Sequence, residues 1–487
     1  MGTRDLFGRL LYLAATHNLD LQVVFRYPLT LVPLSLAHVD GTMTKTDKSA
    51  LMTKLEKRIC TEGPTTVDVC VFDVMFVIRS QVVLPATYGG IATSILERIL
   101  STSTEVHFVC DTYSEQPSIK DLEHVAREST VTDIEYLISG PEQKRSKDFQ
   151  SQLKSPRFKR ALLHFPAEEW KKQDHAKRIA GHKLYLGLED KAWLYTARGD
   201  KVIRQDITEL SCSHEEADTR MVWHVKYISD MQGKGNVVIR CDDTDVLVIF
   251  LAHVLKFAVH VWLDVGHNNK NNRRYIDVSD LAQHVGPQLC AALPGFHAFT
   301  GSDYTASFCR KGKVRPLAIM EKKFVPAFSS LGEQENVDPN VVADLEAFVC
   351  CLYGKPNLKS TNTARYLLFH DRFSPKNVAK PLEKIKGADS SSSPPCQAVL
   401  LQKIKRSNFV ASVYKGAIRA IPTLQKPEDN GWNLQNGSYI LHWFDGKQVP
   451  DNVCSHIDDD AITIQEGENE DEHVYCSSSD ESDSDTD

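Results

Sequence analysis

The sequence lacks the motifs of several common enzyme and membrane classes. It has no GxSxG motif, no GxxxxGK[ST] phosphate loop and no HExxH motif, so it gives no sign of a serine hydrolase, a P-loop protein or a zinc protease. No apolar run is long enough to span a membrane, and the first residues lack the basic-then-apolar order of a signal peptide. We therefore expect an intracellular protein, nuclear or cytoplasmic, without a membrane partner.

The twelve cysteines form no recognisable pattern of metal binding or disulfide pairing. There is no CxxC pair, Cys350 and Cys351 are adjacent, and Cys70 and Cys110 lie in apolar, strand-like runs. Disulfide frameworks and structural zinc sites both show regular cysteine spacings. We interpret these cysteines as reduced thiols, which agrees with an intracellular location.

Charge is unevenly distributed along the chain. The formal net charge is -7, but thirteen Asp and Glu and no Lys or Arg lie between positions 458 and 487. Removing those thirteen negative charges leaves a body with a net charge of +6. A mildly basic body is compatible with DNA or RNA as a partner. The tail at 458–487 is predicted to be disordered, either as a solubilising segment or as a segment that binds basic proteins.

Short apolar runs alternate with helical patterns in the middle of the chain. VDVCVFDVMFVI, VHFVCDTY and NVVIRC are β-rich runs typical of buried parallel strands, and GGIATSILERIL reads as a helix between two of them. This alternation predicts an α/β fold with a mostly parallel central sheet flanked by helices. Residues 1–62 are predicted to be a helical extension, 63–325 the α/β domain with a basic insertion at about 141–180, and 326–457 a region without a functional signal.

Seven acidic residues fall at predicted strand ends, helix starts or nearby turns. They are Asp73, Asp111, Glu216, Asp218, Asp243, Asp245 and Asp303. Ligands of open parallel sheets bind at the carboxyl ends of the strands, so these acids are expected to share one crevice. Crowded carboxylates are costly unless a cation holds them, and oxygen ligands suit Mg²⁺ or Mn²⁺. Each acid alone has an ordinary alternative as a helix cap or turn residue, and Ser213 with Glu216 is predicted to form a capping box.

The order of these motifs resembles that of the PIN-like nucleases of the flap-endonuclease/XPG type. The matching pieces are VFDVM, VCDTY, EEAD, DDTDVL and TGSDYTASF, over roughly residues 67–325. The chain also resembles a group of uncharacterised animal proteins, some of them associated with mobile elements. Two departures from the nuclease pattern are clear: some seventy residues precede the first acid, and Asp218 stands where the family usually has Glu.

The resemblance implies a nucleic-acid hydrolase with two Mg²⁺ or Mn²⁺ ions. Asp73, Asp111, Glu216 and Asp218 would hold or flank one ion, and Asp243, Asp245 and Asp303 would complete the site of the other. Basic residues would contact phosphates of DNA or RNA: Lys144, Arg145, Lys147, Lys154, Arg157, Lys159, Arg160, Lys311 and Lys313. Two alternatives stay open: an inactive binding module of the same fold, such as a protein domesticated from a mobile element, and an interaction protein that acts through its basic segment and acidic tail.

Overall fold

The computed structural model describes residues 3–60, 62–81, 83–113, 116–120, 135–267, 270–373, 384–423 and 425–453. The predicted acidic tail at 458–487 lies outside these ranges. The strands are β1 (Val69–Asp73), β2 (Glu105–Val109), β3 (Lys183–Leu188), β4 (Lys191–Arg198), β5 (Lys201–Asp206), β6 (Asn236–Arg240), β7 (His260–Val265), β8 (Arg274–Asp277), β9 (Trp432–Gln435) and β10 (Ser438–Leu441).

The α-helices are α1 (Thr3–Thr16), α2 (Leu21–Val24), α3 (Ser49–Glu56), α4 (Val74–Arg79), α5 (Tyr88–Leu100), α6 (Phe149–Gln152), α7 (Pro156–Glu169), α8 (Ala176–Ile179), α9 (Ala217–Gln232), α10 (Thr244–His253), α11 (Val278–Val285), α12 (Pro287–Thr300), α13 (Val314–Ile319), α14 (Val325–Ser330), α15 (Pro339–Leu352), α16 (Thr361–Phe373) and α17 (Gln397–Lys415). A π-helical turn at Met320–Phe324 joins α13 to α14. No helix in the described ranges is both long enough and apolar enough to cross a membrane.

An eight-stranded sheet forms the centre of the protein, with the strand order β5-β4-β3-β2-β1-β6-β7-β8. The five inner strands, β3, β2, β1, β6 and β7, are parallel, and antiparallel strands close both edges. The predicted mostly parallel α/β sheet is thus confirmed. Strand order reverses at β1, because β2 and β6 lie on opposite sides of it. Such a reversal opens a crevice beyond the carboxyl ends of the strands.

Helices cover both faces of the sheet because the buried strands are apolar on both sides. Val69 and Val71 of β1 face a cluster that includes side chains of α9, α10 and α12. Cys70 and Phe72 face the opposite cluster, which includes side chains of α4, α5 and α7. The period of two residues along β1 therefore assigns alternate side chains to the two layers.

The segments on either side of the predicted domain pack into the same core. Leu51 and Leu55 of α3 join the cluster beneath α10, and so do Val399 and Phe409 of α17. The N-terminal helix α1 packs instead with residues of α16, in a cluster that includes Phe7 and Phe369. Both flanking regions therefore reach the sheet, and α3 and α17 border the crevice described below.

Local predictions met different outcomes. Strands β3 and β4 form one hairpin and β9 and β10 another, and the helix predicted from Gly89 begins one residue earlier, at Tyr88. The predicted capping box is wrong. Helix α9 begins at Ala217 with Glu216 itself at the N-cap position, while the backbone N–H of Ser213 donates to the carbonyl of Ala420.

Candidate metal centre

The seven predicted acids lie together at the crevice where strand order reverses. Asp73 ends β1, Asp111 follows β2, and Asp243 and Asp245 follow β6 at the start of α10. Glu216 and Asp218 lie at the start of α9, and Asp303 follows α12. Parallel pairing of β1 with β2 and with β6 aligns these strand ends, so acids far apart in sequence become neighbours.

One group of side chains, the Lys120 group, contains Asp111, Glu216 and Lys120. The Lys120 Nζ atom lies 2.9 Å from Glu216 Oε1 and 3.9 Å from Asp111 Oδ1. Asp111 also accepts hydrogen bonds from the backbone N–H of Ala217 at 2.8 Å and from the Tyr113 hydroxyl at 3.0 Å. Asp111 thus caps the start of α9 from a neighbouring loop, which fixes one carboxylate oxygen.

A second group, the Lys48 group, contains Lys48, Asp243, Asp245 and Asp303. The Lys48 Nζ atom lies 3.2 Å from Asp243 Oδ1, 2.9 Å from Asp245 Oδ1 and 2.8 Å from Asp303 Oδ1. Asp243 also caps α10, since its Oδ1 atom accepts from the backbone N–H of Asp245 at 2.9 Å. Three carboxylates therefore point one oxygen each at a single ammonium.

Asp245 is held more tightly than the other acids. Its side chain is only 4% exposed; Oδ1 accepts from His297 Nε2 at 3.0 Å, and Oδ2 accepts from the Tyr414 hydroxyl at 2.6 Å. His297 is itself fixed, because Lys313 donates to its Nδ1 atom at 3.2 Å. Each oxygen of Asp245 thus has a donor from a buried side chain.

Asp73 and Asp218 lie between the two groups and have no ammonium partner among the described residues. Asp73 accepts a backbone hydrogen bond from Met75 at 2.8 Å, as the N-cap of α4. Burial and the nearby Asp111 raise the pKa of Asp73 to about 7. Burial raises the pKa of Asp218 well above its usual range, with further contributions from Asp243, Asp245 and Glu216. These couplings link the two groups into one acidic cluster.

The remaining acids divide according to their partners. Burial raises the pKa of Glu216 to about 7 despite Lys120, and burial and Asp245 raise that of Asp243 to about 7 despite Lys48. Burial also opposes ionisation of Asp245, but His297 and Lys48 hold its pKa well below the usual range. Four of the seven carboxylates, Asp73, Glu216, Asp218 and Asp243, therefore have raised pKa values, because the two lysines offset burial and crowding only in part.

The donor chemistry of this cluster fits hard divalent cations. All seven candidate ligands are carboxylates, and Lys48 and Lys120 pair with five of them. Mg²⁺ and Mn²⁺ prefer oxygen ligands and would supply the missing positive charge. Across the described ranges, no three His, Cys, Asp or Glu side chains already surround a common point as ligands.

The predicted phosphate-binding residues divide into exposed and internal ones. The side chains of Lys144, Lys147, Lys154 and Arg157 are exposed. Arg160, also exposed, pairs with Glu189 at 3.0 Å. These residues belong to a folded segment, since Phe158 and Leu162 of α7 pack against the sheet. The exposed side chains lie on the outside of that layer.

Three other predicted phosphate ligands are engaged within the protein. Arg145 donates to the carbonyl of Pro85 at 2.9 Å. Lys159 is 5% exposed, with its Nζ atom 5.3 Å from the centre of the Tyr113 ring, beside the Lys120 group. Lys311 lies over the ring of Tyr353, with its Nζ atom 4.1 Å from the ring centre.

Lys313 is the clearest departure from the predicted phosphate ligands. It is 1% exposed, and its ammonium donates to His297, to the Thr300 hydroxyl and to the Gly301 carbonyl. Its ammonium is therefore already hydrogen-bonded in the core, where it supports His297 and, through it, Asp245. We assign it no contact with a nucleic acid.

Sequence reasoning missed the residues that hold the acids in place. Lys48 is one of several lysines in the segment KTDKSALMTKLEKRI, and Lys120 belongs to no motif; each contacts acids far away in the sequence. Tyr304 donates to Glu216 Oε1 at 2.5 Å, and Tyr414 comes from a region that gave no functional signal. Only Tyr304 had a usable signal, because it directly follows Asp303 in the GSDY motif.

Comparison with known proteins adds no family to this description: no model of a known protein family matches the chain, and no curated protein matches it significantly.

Proposed function

We propose that this protein hydrolyses phosphodiester bonds of DNA or RNA with the help of two Mg²⁺ or Mn²⁺ ions. The observation that carries the proposal is the meeting of seven carboxylates, from five separate segments, at the point where strand order reverses. A helix cap or a turn needs one carboxylate and gives no reason for seven to share a crevice. The resemblance of the motif order to flap-endonuclease-type nucleases supports the same reaction.

The two groups of acids suggest a division of labour. Asp243, Asp245 and Asp303 would hold one cation, and Asp73, Asp111, Glu216 and Asp218 would hold or flank the other. Bound divalent cations activate the attacking water and stabilise the leaving oxygen in such reactions. The protein's own part is to fix the ligand oxygens. Asp245 is oriented by His297 and Tyr414, and Asp111 by the N–H of Ala217.

The test is cleavage of labelled nucleic acids by the full chain. Single-stranded, duplex and branched DNA and RNA would be incubated with Mg²⁺ or Mn²⁺. The double variant Asp243→Asn/Asp245→Asn should lose about 10³-fold in rate, since a cation supplies several kcal/mol of transition-state stabilisation. Asp230→Asn is the matched control, because Asp230 is an exposed acid whose only partner in the described chain is Lys226 of the same helix. Cleavage that is equal in the double variant and the wild type would refute the proposal.

A second candidate function is a binding module without catalytic activity. One observation favours it: Lys48 and Lys120 already pair with five of the seven acids. Thermal unfolding separates the two candidates. A cation that binds the folded state stabilises it by about 2.7 kcal/mol at a hundred times the Kd. A module whose acids serve only as partners of the lysines should show the same melting temperature with Mg²⁺, Mn²⁺ or EDTA.

A further inference from the structure

Lys48 stands at the centre of the second candidate cation position. Its Nζ atom lies 3.2, 2.9 and 2.8 Å from one oxygen each of Asp243, Asp245 and Asp303. These are three of the carboxylates assigned above to one cation. The same three oxygens cannot surround an ammonium and a divalent ion at once, because the two positive charges would repel at contact distance.

The segment that carries Lys48 is docked against the crevice. Leu51 and Leu55 of α3, just beyond Lys48, are fully buried in the main core. On the other side, the Thr44 hydroxyl donates to the carbonyl of Ser307 at 2.5 Å, and Lys45 donates to the carbonyl of Asp303 at 2.8 Å. The backbone near Lys48 is thus fixed on both sides, and the fold places the ammonium of Lys48 beside the acids.

The charges of the Lys48 group are unequal. One ammonium faces three carboxylates, and the side chain of Lys48 keeps 22% of its surface exposed. A divalent cation would neutralise these acids more completely than one ammonium does. The long, flexible stem of a lysine can move its charged end towards solvent while its backbone stays in place. The ammonium of Lys48 can therefore neutralise part of the acidic charge in the metal-free protein, and it can also move away towards solvent.

We propose that Lys48 is a tethered cation that holds Asp243, Asp245 and Asp303 together in the metal-free protein and must withdraw before Mg²⁺ or Mn²⁺ binds there. This inference rests on the proposed function in one respect, that a divalent cation binds these acids. It adds that the N-terminal segment sets the affinity of that position. Lys48 therefore raises the stability of the metal-free protein and lowers its affinity for the metal ion.

The experiment is a Mn²⁺ titration of the full chain, with free Mn²⁺ measured by its electron paramagnetic resonance signal. Lys48→Met should bind Mn²⁺ about tenfold more tightly than the wild type, because a competing charge at contact distance is gone. Its melting temperature in EDTA should fall, and the rise on adding Mn²⁺ should be larger than in the wild type. Lys54→Met is the matched control, since it removes the same charge from an exposed position of α3, the helix that begins directly after Lys48.

Two further variants make the outcomes distinct. Lys48→Gln removes the charge but keeps a polar end, and it should also tighten Mn²⁺ binding. It serves as the test variant if Lys48→Met fails to fold. Mn²⁺ affinity in both Lys48 variants equal to or weaker than that of Lys54→Met overturns the inference. The double variant Asp243→Asn/Asp245→Asn tells this failure from that of the proposed function. If it binds Mn²⁺ as the wild type does, no cation uses these acids and both proposals fall.

Discussion

The two halves of the acidic cluster are supported in different ways. In the Lys48 group, Asp245 is almost fully buried and receives side-chain donors on both oxygens, from His297 and Lys48 on one and from Tyr414 on the other. In the Lys120 group, Glu216 keeps 25% of its side-chain surface exposed and has Lys120 and Tyr304 on one oxygen. Asp245 is thus fixed from within the core, while the carboxylate of Glu216 remains in contact with solvent.

This difference shows in the protonation of the two central acids. His297 and Lys48 hold the pKa of Asp245 well below its usual range against the effect of burial. Burial raises the pKa of Glu216 to about 7, because Lys120 and Tyr304 compensate it only in part. A buried carboxylate stays ionised when charged and hydrogen-bonding partners offset the cost of burial, and it tends to bind a proton when they do not. We therefore expect Asp245 to be held more rigidly than Glu216 in the metal-free protein.

The largest difference in stability is expected between two variants that each remove one tyrosine hydroxyl, one beside Asp245 and one beside Glu216. Tyr414→Phe deletes a buried donor to an ionised carboxylate and should lower the free energy of unfolding by about 1.5–3 kcal/mol. Tyr304→Phe deletes the equivalent donor to Glu216, where water has access to the carboxylate, and should cost less than about 1 kcal/mol. Urea unfolding in EDTA measures both values.

The pair of tyrosines provides its own control, because both variants lose one oxygen and keep the ring. Equal losses of stability in the two variants would contradict the difference between Asp245 and Glu216. A larger loss for Tyr304→Phe would show that Glu216 is the more tightly held of the two acids.

Acid should weaken the support of the Lys48 half through His253. This histidine is 2% exposed and donates from Nε2 to the carbonyl of Tyr414 at 2.9 Å. Burial lowers the pKa of His253 to about 4, below the ordinary value of 6.5. Between these two values the unfolded chain binds a proton that the folded protein does not, so stability falls as the pH drops below about 6.5.

The expected size of this effect at pH 5 is about 2 kcal/mol, from 1.4 kcal/mol for each pH unit below 6.5. His253→Gln cannot titrate, so its loss of stability between pH 7 and pH 5 should be smaller than that of the wild type by this amount. His284→Gln is the control, because His284 is an exposed histidine. An unchanged pH dependence in His253→Gln would contradict the lowered pKa of this histidine in the folded protein.

The acids could be predicted because their positions follow from strand ends. Asp73, Asp111 and Asp243 each close an apolar run, and a parallel sheet brings the carboxyl ends of its strands to one edge. That rule needs only the period and length of the runs. It also explains why the α/β class and the mostly parallel sheet could be predicted without knowledge of the tertiary contacts.

The cations and donors around those acids could not be predicted, because they arrive from distant parts of the chain. Lys48 and Asp245 are 197 residues apart, and Tyr414 and Asp245 are 169 apart. A single polar residue that becomes buried produces no periodic pattern in the sequence, so nothing in the sequence marks it. Lys313 shows the same limit, since a basic stretch in the sequence gave no sign that its ammonium is buried beneath His297.

The smallest effect on chemistry is expected from the exposed lysines outside both halves. Lys144, Lys147 and Lys154 lie on the surface, and none of them contacts an acid of the cluster among the described residues. The triple variant to alanine should leave the maximal rate of cleavage unchanged and weaken binding. The slope of log affinity against log salt should become less steep by about 0.7–0.9 for each lysine that contacts a phosphate.

The control for this variant removes three exposed lysines elsewhere, as Lys201→Ala/Lys234→Ala/Lys256→Ala. Both triple variants change the net charge equally, so a general loss of attraction for a polyanion should affect them alike. Direct contacts should change the salt slope only in the first variant. If the two slopes fall together, the 141–180 segment acts only through its total charge, and binding would depend on the surroundings of the acidic cluster itself.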